Sequence, residues 1–257
     1  MDELIDRPSY EPESSSHDEP GPTPKLSALQ RLIKAFYAPG EVFSDIRVKP
    51  TWLVVLLVTL ITVFAAVYGA MSHVDMEATI RANAENTGRE MSEEQLDQAM
   101  KFMDSTWFKF LQPAAGSIFY VAGIALLAVV FFLALKLAGS ETTYSRILSS
   151  TAHSYWPPTL ASCILGAIVM SRTGTITGIE AQSLVKSNVG AFLSPETPGW
   201  ILTAARSFDI FNIWIISLTV MGLSITGGVS RKATIVVVVA TWLAYLTIKV
   251  VWAALFG

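Results

Sequence analysis

An all-α fold, a polytopic transmembrane helix bundle with five spans preceded by interfacial amphipathic helices, is what this sequence predicts. Three observations predict it. Of the 257 residues, 52% are hydrophobic and only 15% are charged, whereas about a quarter of a typical soluble domain is charged. The charges are unevenly placed and leave long stretches with none, the pattern of a membrane protein. Several apolar runs reach the roughly 20 residues a helix needs to cross the hydrocarbon core. Runs of that length are not the alternating, roughly ten-residue strands of a membrane barrel.

Residues 1–24 read as a disordered polar tail, rich in proline, serine and acids. No apolar run follows a basic start there, so no cleavable signal peptide is expected. Residues 25–50 read as interfacial amphipathic helices. Leu26, Leu29, Leu32, Ile33 and Phe36 recur at helical spacing with Arg31 and Lys34 between them. A basic amphipathic helix of this kind lies flat on a membrane surface. Pro39-Gly40 ends it, and Val42, Phe43 and Ile46 begin a second short helix. Pro50 and Trp52 mark the entry into lipid, with the tryptophan as an aromatic anchor.

Residues 51–257 form the membrane domain. Its expected spans are 52–71, 114–137, 148–170, 208–226 and 233–256. Lys136, at the end of the second, can snorkel to the interface. His153 and Pro157-Pro158 fall in the third, which should be kinked, and the histidine reads as a hydrogen-bonded packing residue. Between the first two spans, SEEQLDQAMKFMDSTWFKFL reads as a helix capped by Ser92 and Gln95. Met100, Met103, Trp107 and Phe110 give it an apolar stripe. Glu93 and Glu94 are adjacent, so they point apart on a helix and do not suggest a cation site. In the loop 172–206, Ser194 and Pro195 look like the start of a short helix. Gly222, Gly227, Gly228 and the Ser162-x-x-x-Gly166 spacing suit close helix approach.

Lys and Arg residues crowd into short segments on the N-terminal side: Arg31, Lys34, Arg47, Lys49, Lys136, Arg146, Arg231 and Lys232. The positive-inside rule then puts the N-terminus in the cytoplasm and the C-terminus on the opposite side, with the bacterial inner membrane as the expected location.

Besides Lys136 at a span end, two charges fall within spans, Asp209 and Lys249. Counted along consecutive antiparallel helices, they lie at similar depth, and an intramembrane polar pair is one reading. A carboxylate cap at the helix N-terminus is another, compatible with the first. An ion or substrate site is the third. The single cysteine, Cys163, reads as a small buried residue. No HExxH, Gly-rich phosphate loop, catalytic triad or ligand cluster is present, so no enzyme activity, metal or cofactor is expected. A net charge of −3 without a basic cluster excludes nucleic acid as a partner.

The stretches FYAPGEVFSDIRVKPTW, GSETTYSRILSSTAHSYWPP, NVGAFL and SFDIFNIWIISLTVMGLS, in this order and spacing, resemble bacterial members of the Yip family. These are five-span proteins related to the eukaryotic Rab/Ypt-interacting membrane proteins. The resemblance covers about Leu29 to the C-terminus. It implies a role in membrane organisation. The short tail departs from the longer cytosolic regions of many eukaryotic members, so a Rab-type GTPase is not expected as a partner. The expected partners are the lipid bilayer and either another membrane protein or a second copy in a homo-oligomer. The leading functional expectation is a non-enzymatic membrane scaffold or adaptor using the surface helix of Leu29, Leu32, Ile33, Phe36, Arg31 and Lys34. The alternative is a small-solute or ion transporter or channel, with Asp209, Lys249 and His153 as its polar elements.

Overall fold

The structure is a computed structural model that describes residues 23–86, 88, 90–181, 184–194 and 196–256. The tail expected over residues 1–24 falls outside them except for Thr23 and Pro24. Among the described residues the regular structure is helical.

Helix α1 (Ala28–Lys34) begins at a capping box. The Ser27 hydroxyl accepts the Gln30 N–H at 3.2 Å, and the Gln30 side chain accepts the Ser27 N–H at 2.8 Å. Helix α2 (Pro39–Val48) starts with proline at its first position, where the missing N–H costs nothing. Helix α3 (Leu53–Met71) follows, then α4 (Met76–Asn86) and α5 (Glu93–Asp104). The Ser92–Gln95 capping box opens α5 as expected, and Glu93 pairs with Arg81 at 3.2 Å.

The helix expected across residues 92–111 is broken at Ser105. That residue is extended, and its hydroxyl accepts the Phe108 N–H at 3.2 Å, which caps a new helix. This is α6 (Thr106–Leu137), so the second apolar run starts eight residues earlier than expected and carries Trp107 and Phe110 with it.

Helix α7 (Tyr144–Met170) has 27 residues, about 40 Å at the helical rise. It sits at the centre and packs against α3, α6 and the later α10. Ser149, Ser150, Thr151, His153 and Ser154 are all buried on it. Most of these polar side chains turn back on their own helix. Ser149, Thr151 and Ser154 donate to the carbonyl four residues earlier at 2.7–2.9 Å. His153 Nδ1 bonds the Ser149 carbonyl at 2.7 Å, as expected for a packing histidine.

After α8 (Gly178–Ala181) and a 3-10 turn (Val189–Phe192) comes α9 (Gly199–Ser207). The short helix expected at Ser194 therefore begins later, behind Pro198. The Ser194 carbonyl instead closes a turn onto the Thr197 N–H at 3.0 Å, and Pro195 lies outside the described residues. Helices α10 (Ile210–Thr226) and α11 (Arg231–Phe256) complete the chain.

Three helices, α3, α6 and α11, are long and apolar enough to cross a membrane. Of the other two expected spans, α10 is apolar but has 17 residues, and α7 is long but diluted by its buried hydroxyls. Leu57, Ile61, Phe119, Leu126, Leu133, Val236, Ile248 and Trp252 on the three long helices face outward, as lipid-facing side chains do.

The bundle has two ends. At the near end, the α6–α7 and α10–α11 turns are tied together. The Ser140 hydroxyl donates to the Gly227 carbonyl and the Thr142 hydroxyl to Thr226 at 2.8 Å. Gly139 and Gly228 turn there with φ of +85° and +68°. At the far end, Val74 and Ile176 bridge the exits of α3 and α7.

Candidate functional site

Two polar nodes stand out, one at each end. At the near end, α1 and α2 form a hairpin seated on the bundle. Arg31 is 1% exposed. Its Nε donates to Asp45 Oδ2 at 2.8 Å, and its Nη2 lies 2.6 Å from the same oxygen. Its Nη1 donates to the Lys49 carbonyl at 2.9 Å and to the Thr51 hydroxyl. Asp45 also accepts the Lys25 N–H at 2.6 Å and the Leu26 N–H at 3.3 Å. Burial pushes the Asp45 carboxyl up, but the Lys25 amide, the Arg31 guanidinium and the Leu26 amide together hold it below the usual carboxylate value.

The hairpin seats its apolar face at the same time. Val42, Phe43 and Ile46 are at most 1% exposed, and α2 packs on α10 and α7. Gly222 makes this possible. A Cβ there would meet Phe43 Cε1 at 2.8 Å and the Ser150 hydroxyl closer still. The Trp156 indole N–H donates to the Leu32 carbonyl at 3.1 Å, which satisfies an orphan carbonyl in the last turn of α1. Phe36 contacts the rings of Trp156 and Trp214 edge-on at 6.4 and 6.5 Å.

These contacts fix the hairpin's direction. Arg47 lines a cleft with Thr142 and Gly227 at the near end. Phe36, at the turn between the two helices, reaches Trp214, twelve residues and about 18 Å along α10 from Thr226. The two helices thus run along the flank of the bundle, with their turn beside Trp214. Arg31 and Leu32 were expected on the surface helix and are instead its buried edge, together with Ala35. Leu29, Ile33 and Tyr37 form the outward edge at 65%, 53% and 69% exposure, with Phe36 beside them. Lys34 pairs with Glu41 across the hairpin at 2.5 Å.

At the far end, Asp209 caps α10 by accepting the Phe211 N–H at 2.7 Å. Its other oxygen accepts the Ser187 hydroxyl. The two strands of chain pair briefly, Val189 N–H to Phe208 O at 3.2 Å and Ile210 N–H to Ser187 O at 3.1 Å. The stretches NVGAFL and SFDIFNIW, separated by thirteen residues, meet here.

Lys249 is elsewhere. Its ammonium lies 5.5 Å from the Tyr245 ring centre, and no ion pair joins it to Asp209 among the described residues. The reason is a depth offset. Phe208 stacks edge-on against Trp242 at 5.4 Å, which sets Asp209 near the Trp242 level, and Lys249 is seven residues or about 10 Å further along α11. Counting from the α10–α11 turn puts the two level, so the Phe208–Trp242 contact, not the residue count, reveals the offset.

The Arg31–Asp45 pair was missed by sequence reasoning. Its signal was Asp45, a carboxylate set between Phe43 and Ile46 in an otherwise apolar face. No cluster of metal ligands occurs among the described residues.

Long outward-apolar helices around a central polar helix define an integral, polytopic helical membrane protein. The chain belongs to the Yip1 domain family, whose model matches residues 33–253. It is similar to the membrane protein YknW of Bacillus subtilis (strain 168), 27% identical over 203 residues, which cover 79% of this chain and 80% of that one. No solved structure matches it.

Proposed function

We propose that this Yip-family protein is a non-enzymatic membrane scaffold that works through its docked N-terminal hairpin. The carrying observation is the division of labour on α1. One edge is tied into the bundle by Arg31, Leu32 and Trp156, while Leu29, Ile33 and Tyr37 remain exposed on the other. A seven-residue helix is too short to be stable alone in water. Held by the Arg31–Asp45 pair, it becomes a fixed apolar ridge beside the bundle. Such a ridge suits a partner membrane protein or a second copy of the chain. In this reading α7 and α10 are the third and fourth of five spans. The near end carries Arg47, Lys136, Arg146, Arg231 and Lys232, which supports a cytoplasmic near end and N-terminus in the bacterial inner membrane, with the C-terminus on the opposite side.

The test is cross-linking of a C-terminally tagged chain in living cells, followed by isolation from native membranes. A stoichiometric protein is expected with the wild type, and it should be lost when Leu29, Ile33 and Tyr37 are all changed to serine. Recovery of the same set of proteins with and without the ridge would contradict the proposal.

A further inference from the structure

The far-end cleft beside Asp209 has a lining whose hydrogen-bond directions can be followed proton by proton. The cleft measures about 350 Å³ and draws Tyr120 from α6, Thr159 and Ser162 from α7, Arg206 from α9, and Asp209 and Asn212 from the head of α10. A hydroxyl has one proton to give and two lone pairs. Thr159 donates its proton to the Tyr155 carbonyl at 2.7 Å. Tyr120, 2.6 Å from the Thr159 oxygen, is therefore the donor of that contact. Ser162 donates to the Thr159 carbonyl at 2.9 Å, and Ser187 donates to Asp209. Asn212 commits an amide N–H to the Ser207 carbonyl at 3.2 Å.

The hydroxyl protons are thus spent within the protein. Apart from the second Asn212 N–H, what the lining has left is acceptor capacity: lone pairs on Tyr120 and Ser162, the Asn212 amide oxygen and the Asp209 carboxylate. Arg206 lines the same cleft with a guanidinium that is exposed and in no ion pair among the described residues. A set of acceptors that outnumbers its remaining donors recognises a cation that carries several N–H bonds, and a guanidinium recognises an anion such as phosphate. Phe211 and Ile215 supply an apolar wall between these polar groups.

We infer that this cleft binds a zwitterion that carries a primary ammonium and a phosphate on a short linker, the headgroup chemistry of an ethanolamine phospholipid. The ammonium sits among the oxygens of Asp209, Tyr120, Ser162 and Asn212, and Arg206 takes the phosphate. A choline headgroup has the same charges but no N–H to donate, so the site discriminates between the two. The setting suits a lipid, because Phe208 and Ile210, on either side of Asp209, are 48% and 63% exposed. The cleft draws Ile215 from α10, next to the Trp214 that Phe36 contacts, but none of its lining residues belongs to the hairpin.

The experiment uses the full chain purified in detergent and lipid titrations read by native mass spectrometry and thermal unfolding. The probes are dioleoyl-phosphatidylethanolamine, the matching phosphatidylcholine, and soluble phosphoethanolamine. The ethanolamine lipid is expected to be retained and to raise the unfolding midpoint, and the choline lipid to do neither. Asp209→Asn keeps a capping residue, since Asn and Asp cap about equally well, and Arg206→Gln changes an exposed side chain. Each should weaken retention about tenfold, the scale of one lost charge-assisted hydrogen bond, with the unliganded midpoint of Arg206→Gln unchanged. Protection by phosphoethanolamine without the lipid would keep the zwitterion site and assign it to a free solute. Equal retention of the two lipids, or unchanged retention in both variants, would overturn the inference.

Discussion

The two polar nodes solve the same problem differently. At the near end, Asp45 is 7% exposed and faces a guanidinium that is itself buried. At the far end, Asp209 is only partly buried and is satisfied by a backbone amide and a hydroxyl. A carboxylate removed from water needs a full counter-charge with its own hydrogen bonds. One left at a helix N-terminus near the surface is content with the cap and the dipole. The near node is therefore a structural latch, whereas the far node retains unspent acceptors that can meet a ligand.

This contrast can be broken most forcefully at the latch. Arg31→Ala or Asp45→Ala leaves one charge buried without its partner, and each should cost about 3–5 kcal/mol, read as a loss of unfolding midpoint in detergent. The same latch should weaken in acid. The Asp45 carboxyl is held below its ordinary value of 3.8, so its contribution is complete above that value and lost as pH falls further, through the folded value. Limited proteolysis near Lys25 against pH should show the release at the acid end, and Asp45→Asn should flatten that dependence.

A smaller loss is expected at Gly222. A valine there pushes on Phe43 and Ser150, and overpacking of this kind costs about 1–3 kcal/mol. Phe43→Ala should relieve part of it, which a midpoint comparison of the single and double variants would detect. At the far node, Asp209→Ala removes the cap and should cost about 0.5–2 kcal/mol, with Asp209→Asn nearly neutral. The smallest expected effect is coupling between Asp209 and Lys249. Losses from Asp209→Asn and Lys249→Met should add within about 0.5 kcal/mol, and a larger coupling in the double variant would restore the intramembrane pair.

The near and far ends also differ in how well the sequence foretold them. Apolar runs such as Leu53–Met71 are local signals and survive into the structure. So does the Ser92–Gln95 box, because a capping box needs only residues three apart. The latch was not legible, because Arg31 and Asp45 meet only after the chain reverses at Tyr37–Pro39. Periodicity alone gave α1 one broad apolar face, and tertiary packing divided it into a buried edge that carries Arg31 and an exposed edge that carries Leu29 and Ile33. The cap at Asp209 was legible as one of three readings. Its Ser187 partner lay 22 residues away across an irregular loop. The depth of Lys249 was misjudged because equal residue counts from a shared turn do not fix which residues share a level; the packing of the two helices does.

The most direct test of the latch is a double-mutant cycle on Arg31→Met and Asp45→Leu, read by equilibrium unfolding of the full chain in one detergent. If the buried pair holds the hairpin, each single change is strongly destabilising, and the double variant recovers at least 2 kcal/mol relative to the sum of the single losses, within the range for residues in one network. Losses that simply add would mean that the hairpin is held by Val42, Phe43 and Ile46 alone, and the account of Arg31 and Asp45 as its latch would fail.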